Sequence, residues 1–307
     1  MQTALISHRD CVLHEISPGH PECPQRIDAI NDQLKKQEVF DYLQHFDAPD
    51  AGHEHLLLAH SEKYVDMIFS QAPASGSVQL DPDTAMNPHT LSASLKAAGA
   101  GVLAVDQVCS EKLKNAFCLT RPPGHHAEAT RAMGFCFFGN IAIAARHAVS
   151  QHGLERVAIL DFDVHHGNGT EDIVDGDSNI LFCSSFQHPF YPGGYRDNVK
   201  DQRVNVPLQA GCDSEAFRQT ISATWLPALE SFKPQMIFIS AGFDAHLEDP
   251  LASISLVDDD FTWITTQIMD VADRFAGGRI VSMLEGGYAL PALGRCAASH
   301  VRTLAKI

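Results

Sequence analysis

The feature that most limits how this chain folds is a set of short apolar runs separated by longer, helix-like stretches. Three runs are clear, at residues 157–160, 236–239 and 280–284; residues 116–119 form a weaker fourth and residues 4–6 a candidate first. They are apolar at nearly every position, and therefore on both faces. This is the pattern of parallel strands that helices cover on each side.

Helix candidates lie between these runs. They begin after residues that favour a helix start, such as Asn87-Pro88 and Asp213, and two of them end at glycine. The predicted helices cover residues 87–108, 141–151, 213–231 and 259–275. Residues 17–24 are predicted to be a loop because their prolines break any regular ladder. Alternating strands and helices predict an α/β fold with a mostly parallel sheet. No linker-like segment interrupts the chain, so we expect one domain over residues 1–307.

Charge and cysteine content narrow the function classes. The net charge of −16 argues against a nucleic-acid-binding surface and is compatible with a cationic substrate. The eight cysteines include no C-x-x-C pair, which favours buried free thiols in a reducing compartment. The N-terminus lacks a signal-peptide pattern, and no stretch approaches the roughly 18 apolar residues of a membrane span. We therefore expect a soluble, cytoplasmic protein that binds neither nucleic acid nor membrane.

Titratable residues follow directly after four of the predicted strands. These polar segments are residues 121–126, 161–169, 240–244 and 285–288. In open α/β sheets, ligands bind at the carboxyl ends of the strands. The pattern therefore predicts that the four segments meet in one site.

The segment D-F-D-V-H suggests a metal. If the chain is still extended there, Asp161, Asp163 and His165 point the same way. Such a group is costly to bury unless a cation joins it, and the mixture of Asp and His suits zinc or iron(II). Asp244 would complete three ligands and leave one position open, as in catalytic zinc sites. The alternative is a solvated loop with caps and turns, which the preceding buried strand disfavours.

Other residues are candidates for catalytic groups and for the walls of a substrate channel. His125 and His126 follow Pro-Pro-Gly, a rigid loop suited to presenting imidazoles, one of them as a general base; an exposed turn is the alternative. Tyr288 follows two glycines and would donate to an oxyanion if it points inward, or simply pack as an aromatic in an ordinary turn. Phe135 and Tyr191 are candidate channel walls, although each by itself is more typical of core packing.

With these residues in place, the sequence resembles the histone deacetylase family, in its bacterial class II-like branch. The matching segments are HPECPQRI (20–27), RPPGHHA (121–127), GFCFFGN (134–140), LDFDVHHGNGT (160–170), SAGFDAH (240–246) and LEGGY (284–288). They occur in family order from about residue 8 to 290. The resemblance implies the arginase/deacetylase fold, a single α/β domain around a parallel sheet of about eight strands flanked by helices.

The resemblance also implies roles in catalysis. Asp163, His165 and Asp244 match the family's zinc ligands. His126 matches the family's general base and acid. His125, paired with Asp161, matches the electrostatic partner that stays protonated, and Tyr288 matches the residue that polarises the amide carbonyl. Asn168 follows the class II pattern, where class I members carry Asp.

Further matches concern the channel and monovalent cations. The substrate channel would be lined by Gly134, Phe135, Tyr191 and Leu251, with Tyr191 standing where Phe is frequent. Arg26 resembles the arginine of the inner acetate-release channel. The inner potassium site would be formed by Asp161 and Ser184 together with backbone oxygens of Asp163 and His165. The implied cofactors are one catalytic Zn²⁺ per chain and one or two structural K⁺.

The activity implied is zinc-dependent hydrolysis of N-acetyl-lysine in a protein or peptide, or of a similar small acylated amine. Acetylpolyamine hydrolysis is a rival. Leu251 stands where polyamine-specific members can carry an acid, although a neighbouring acid would compensate. A non-catalytic acetyl-lysine-binding module is disfavoured by Tyr288, and a binuclear arginase-type site by the lack of a D-A-H-A-D run. The natural substrate, the acyl chain length and the oligomeric state stay open, and an oligomer is compatible with the sequence.

Overall fold

The structure, a computed structural model, describes residues 3–307, so residues 1 and 2 of the predicted domain lie outside the described part. The strands are β1 (Thr3–Ser7), β2 (Gln44–Asp47), β3 (Val78–Asp81), β4 (Thr84–Met86), β5 (Asn115–Leu119), β6 (Val157–Asp161), β7 (Ile180–Gln187), β8 (Arg203–Leu208), β9 (Met236–Ala241) and β10 (Ile280–Leu284). Eight of them form a parallel sheet in the order β2-β1-β5-β10-β9-β6-β7-β8, while β3 and β4 form a separate antiparallel pair. The predicted α/β class and parallel eight-stranded sheet are confirmed.

Helices connect most of these strands. They are α1 (Gln25–Lys36), α2 (His53–Leu56), α3 (Glu62–Gln71), α4 (Thr90–Cys109), α5 (Asn140–His152), α6 (Asn168–Val174), α7 (Ser214–Phe232), α8 (Asp258–Val271) and α9 (Leu290–Ala305). Two 3₁₀ turns lie at Arg9–Val12 and Phe40–Tyr42, and α8 continues into a π turn, Ala272–Ala276.

The helix ends follow the predicted signals, with one shift. The Asp213 side chain accepts a hydrogen bond from the Ala216 amide and caps α7, and Gly153 ends α5 in the left-handed conformation. The helix predicted from residue 87 instead begins at Thr90. The reason is that the Asn87 side chain accepts from the His89 amide and the Thr90 hydroxyl, which forms a local turn ahead of the helix.

Two apolar cores cover the two faces of the sheet. Alternate residues of a strand point to opposite faces, so Phe117 of β5 joins the core formed with α1, α7, α8 and α9. Its neighbour Cys118 joins the core formed with α3, α4 and α5. Helices on both sides leave the central strands fully buried, as their composition predicted.

Two other expectations can be compared with the structure. All eight cysteines lie within residues 3–307 and are free thiols, most of them buried, as predicted. Among the helices of residues 3–307, none has both the length and the apolar character that a membrane crossing needs.

Candidate active site

The four polar segments predicted to meet do meet. They follow β5, β6, β9 and β10, which are neighbours in the sheet in the order β5-β10-β9-β6. Asp161, the last residue of β6, pairs in register with Ser240 of β9 on one side and Ser184 of β7 on the other. The carboxyl edge of the sheet therefore carries one continuous site.

Asp163, His165 and Asp244 form a group able to hold a metal ion. One ligand atom from each lies within 4.8 Å of the other two. His165 Nδ1 lies 3.1 Å from Asp163 Oδ1 and 3.2 Å from Asp244 Oδ2, and all three residues are buried or nearly so. Although His165 is near, Asp244 Oδ2 has no well-formed hydrogen bond within residues 3–307. A buried carboxylate oxygen without a donor, facing a second carboxylate and an imidazole, fits a divalent cation.

The charges of these three residues also fit a divalent cation. Burial, together with the charge of Asp163, raises the pKa of Asp244 to about 7. Burial acts to lower the pKa of His165, but its close contacts with the carboxylates of Asp163 and Asp244 outweigh burial and raise it to about 10. Without a metal, a proton on His165 must balance the two carboxylates. A divalent ion can take the place of that proton.

Backbone groups hold the two carboxylates in place. The Gly286 amide donates to Asp163 Oδ2 at 2.7 Å, and the Val164 amide donates to Asp244 Oδ1 at 2.9 Å. A Cβ atom on Gly286 would lie 2.2 Å from Asp244 Oδ2 and 2.5 Å from Asp163 Oδ2. Only glycine allows both carboxylates to approach the backbone this closely.

His125 forms a buried charge pair behind this group. Its Nδ1 lies 3.0 Å from Asp161 Oδ2. Burial acts to lower the pKa of His125, but the carboxylates of Asp163 and Asp161 outweigh it and hold the pKa well above its usual range. His125 is therefore positively charged at neutral pH.

Glu285 supports the His125 loop, a role that sequence reasoning missed. Its buried carboxylate accepts the backbone amides of Gly124 at 2.7 Å and of His125 at 3.1 Å, and the Ser240 hydroxyl at 3.1 Å. Glu285 stands in the LEGGY motif, but its contacts join segments 160 residues apart, so no local pattern pointed to them.

His126 is the neutral imidazole of the pair. Its Nδ1 lies 2.7 Å from Asn168 Oδ1. The Asn168 amide group donates to Glu128 Oε1 at 2.9 Å, which orients the asparagine so that Oδ1 faces His126. An acceptor there requires the proton on Nδ1 and leaves Nε2 with a free lone pair. Burial and the positive charges of His125 and His165 hold the pKa of His126 well below its usual range.

A cavity of about 170 Å³ opens onto these groups. Its lining residues are Asp83, His126, Gly134, Phe135, His165, Phe190, Tyr191, Leu251 and Tyr288. The four predicted channel residues are all among them. Tyr191 presents an edge-on contact to His126, with ring centroids 5.2 Å apart, and Phe135 does the same to Tyr288 at 6.1 Å.

Two lining residues were not predicted. Phe190 stacks on His165 with ring centroids 5.5 Å apart. Asp83, beside the β3–β4 pair, accepts the Gly134 amide at 3.1 Å. Phe190 adjoins Tyr191 in an aromatic segment, which was a usable signal. Asp83 does not follow any of the buried strands, so its position in the sequence gave no signal that it lines the cavity.

Arg26 and Ser184 lie near the site. Arg26 is fully buried, donates to the Gly287 carbonyl at 2.7 Å and to Glu22 at 3.0 Å, and has its guanidinium carbon 5.1 Å from the Tyr288 ring centroid. It therefore braces the loop that carries Tyr288. Ser184 is buried, and its hydroxyl lies 3.0 Å from His166 Nδ1.

Known proteins resemble this chain in sequence and fold. The histone deacetylase domain family matches residues 20–304. A histone deacetylase-like amidohydrolase of Pseudomonas aeruginosa is 38% identical over 94% of this chain and 78% of its own. The human polyamine deacetylase HDAC10 is 33% identical over 99% of this chain and 48% of its own. The crystal structure of the HDA15 HD domain superposes with a TM-score of 0.93 at 31% identity, covering 99% of this chain and 90% of the other.

Proposed function

This chain belongs to the histone deacetylase family, and we propose that it is a zinc-dependent deacetylase that hydrolyses N-acetyl-lysine to the free amine and acetate. As a member of this family it is a hydrolase of amide bonds. One observation carries the proposal. His126, with a free Nε2 lone pair, opens onto the same small cavity as His165 and Tyr288.

We assign the metal to Asp163, His165 and Asp244, one zinc ion per chain. A zinc ion bound there would supply Lewis-acid polarisation of the amide carbonyl. The buried Asp244 Oδ2, which has no well-formed hydrogen bond within residues 3–307, supports this assignment. Zinc is favoured over magnesium or calcium because the ligands include an imidazole.

The protein side chains handle the protons. His126 Nε2 accepts a proton from the attacking water and then delivers it to the leaving amine, since its low pKa keeps it neutral at the start. The Tyr288 hydroxyl donates to the carbonyl oxygen as negative charge develops. Burial, with the negative charge of Asp244 nearby, holds the pKa of Tyr288 well above its usual range, so the phenol stays protonated. His125, paired with Asp161, contributes a fixed positive charge.

The cavity walls favour an acyl-lysine substrate. Phe135, Tyr191 and Leu251 are apolar over most of their surface and suit the methylene chain of lysine. We further propose that Arg26 belongs to the acetate-release route. The burial of its guanidinium against the Tyr288 loop supports this proposal.

We also propose a structural potassium ion at Asp161 and Ser184, completed by backbone oxygens of Asp163 and His165. The adjacency of Asp161 and Ser184 across β6 and β7 supports it. A cytoplasmic location is our further proposal, supported by the eight free thiols.

A second candidate is deacetylation of acetylpolyamines. Asp83 at the cavity offers a carboxylate to a cationic substrate, and one relative is named a polyamine deacetylase. Leu251, an apolar side chain in the same cavity, opposes it because a cation gains nothing from contact with leucine.

One experiment tests both candidates. Turnover is measured on an acetyl-lysine peptide and on acetylputrescine, before and after chelation and after zinc is restored. We expect the peptide to be the better substrate, and activity to be lost with chelator and regained with zinc. His126→Ala should abolish turnover, whereas His89→Ala, at an exposed histidine that is not among the residues lining the cavity, should not. Chelator-insensitive hydrolysis would overturn the zinc proposal, and faster acetylputrescine turnover would favour the second candidate.

A further inference from the structure

Three donor side chains meet between α4 and α5, at the edge of the sheet opposite to the catalytic cavity. Asp106 lies near the end of α4, and His147 and His152 lie in the last turns of α5. The Nε2 atoms of His147 and His152 lie 2.8 Å and 2.7 Å from the same oxygen, Asp106 Oδ1. Helix α5 starts at Asn140 beside the catalytic loops, and its 13 residues carry the chain about 20 Å away from them.

We propose that Asp106, His147 and His152 form a second metal site, for a divalent transition ion of the zinc type. One ligand atom from each residue lies within 4.8 Å of the other two. Two imidazoles and one carboxylate suit zinc and its neighbours, and three protein ligands leave a position for water. That position is accessible. The side chains of Asp106 and His152 are 48% and 27% exposed, while His147, at 6%, forms the buried side.

The negative charge of Asp106 is not neutralised by a lysine or arginine within residues 3–307, so it can attract a cation. Within residues 3–307, no lysine or arginine pairs with this carboxylate; its ionic partners there are the two histidines. The group formed by His246, Asp258 and Cys296 differs in this respect. The Arg295 guanidinium already lies 2.8 Å from Asp258 and neutralises it. We therefore assign a metal to the first group and not to the second.

The geometry requires little movement. Tetrahedral zinc with bonds of about 2.0–2.1 Å places its ligand atoms about 3.3 Å apart, and the present separations from Asp106 Oδ1 are 2.7 and 2.8 Å. Small side-chain rotations widen these by about half an ångström. The ion would then join α4 to α5, the helices that cover one face of the sheet. Metal binding should therefore stabilise the fold.

The test counts zinc in the intact protein, purified with its catalytic metal. Wild type, Asp106→Asn, His152→Gln and the control His89→Gln are dialysed against about 10 µM free Zn²⁺, and zinc per chain is measured. We expect wild type and His89→Gln to hold one equivalent more than Asp106→Asn and His152→Gln. Added Zn²⁺ should raise the melting temperature of wild type more than that of these two variants.

The two altered side chains are partly exposed and lie outside the catalytic cavity, so deacetylase turnover should be unchanged in both variants. Circular dichroism gives a check on folding that does not depend on any activity. Equal zinc content in wild type, Asp106→Asn and His152→Gln would overturn the proposal. Because the result is a difference between variants, it stands even if the catalytic metal proves not to be zinc.

Discussion

A single methyl group on Gly286 should weaken zinc binding at the proposed catalytic site. The added Cβ would lie 2.2 Å from Asp244 Oδ2, which is 0.8 Å inside the 3.0 Å that real Cβ contacts essentially never cross. It would also lie 2.5 Å from Asp163 Oδ2. The carboxylates cannot withdraw freely, because Asp163 is held by the Gly286 amide at 2.7 Å and Asp244 by the Val164 amide at 2.9 Å.

The size of the effect follows from these bonds. A hydrogen bond to a charged group contributes about 1.5–3 kcal/mol. Relieving the overlap in Gly286→Ala should break one such bond and move one ligand. At about 1.4 kcal/mol per factor of ten, zinc affinity should fall roughly 10- to 100-fold. The assay is a zinc titration in competition with a chromophoric chelator.

Two other glycines sharpen this test. Gly242→Ala approaches the same site from β9, with its Cβ 2.1 Å from Asp163 Oδ2, and should weaken zinc binding similarly. Gly194→Ala is the control, since its Cβ would meet no described atom within 4 Å. If Gly286→Ala and Gly242→Ala both fold and bind zinc as tightly as Gly194→Ala, Asp163 and Asp244 are not the metal ligands.

Three further variants test the surrounding groups. Tyr288→Phe removes the oxyanion donor and should lower kcat about 10²–10³-fold with little change in KM; near-normal turnover would refute the role. Leu251→Glu places a carboxylate in the cavity, and a contribution of up to about 1 kcal/mol should raise kcat/KM for acetylputrescine relative to an acetyl-lysine peptide by up to about fivefold. An unchanged ratio would show that this position does not select the substrate. Glu285→Ala leaves the buried amides of Gly124 and His125 without their acceptor, so the free energy of unfolding should fall by about 1–3 kcal/mol for each. A denaturant melt matching that of wild type would contradict this.

Local sequence was enough to predict which polar residues meet at the site. A buried strand can be predicted from its run of apolar residues. A polar residue directly after such a strand must lie at the carboxyl edge of the sheet. Asp163 and Asp244 could therefore be placed at one site without any coordinates. The resemblance to a family supplied predictions that pattern alone left open, namely that His126 rather than His125 is the base and that Tyr288 faces the cavity.

The sequence did not predict every strand of the sheet. Strand β7 was not predicted. The structure buries even Ser184, Ser185 and Gln187, the polar residues that follow its four-residue apolar run. They are tolerated there because they find polar partners, as Ser184 does in His166 and Gln187 in the Ser253 amide.

Tertiary structure alone decided which residues touch. The order of strands inserts β10 between β5 and β9, which brings Gly286 against Asp163 and Asp244 and sets Glu285 beneath His125. No local pattern encodes that order, because pairing between parallel strands joins segments far apart in the chain. The opposite protonation of His125 and His126 was decided in the same way. These neighbours carry the same side chain. They differ because carboxylates surround His125, whereas His126 is buried beside the positive charges of His125 and His165.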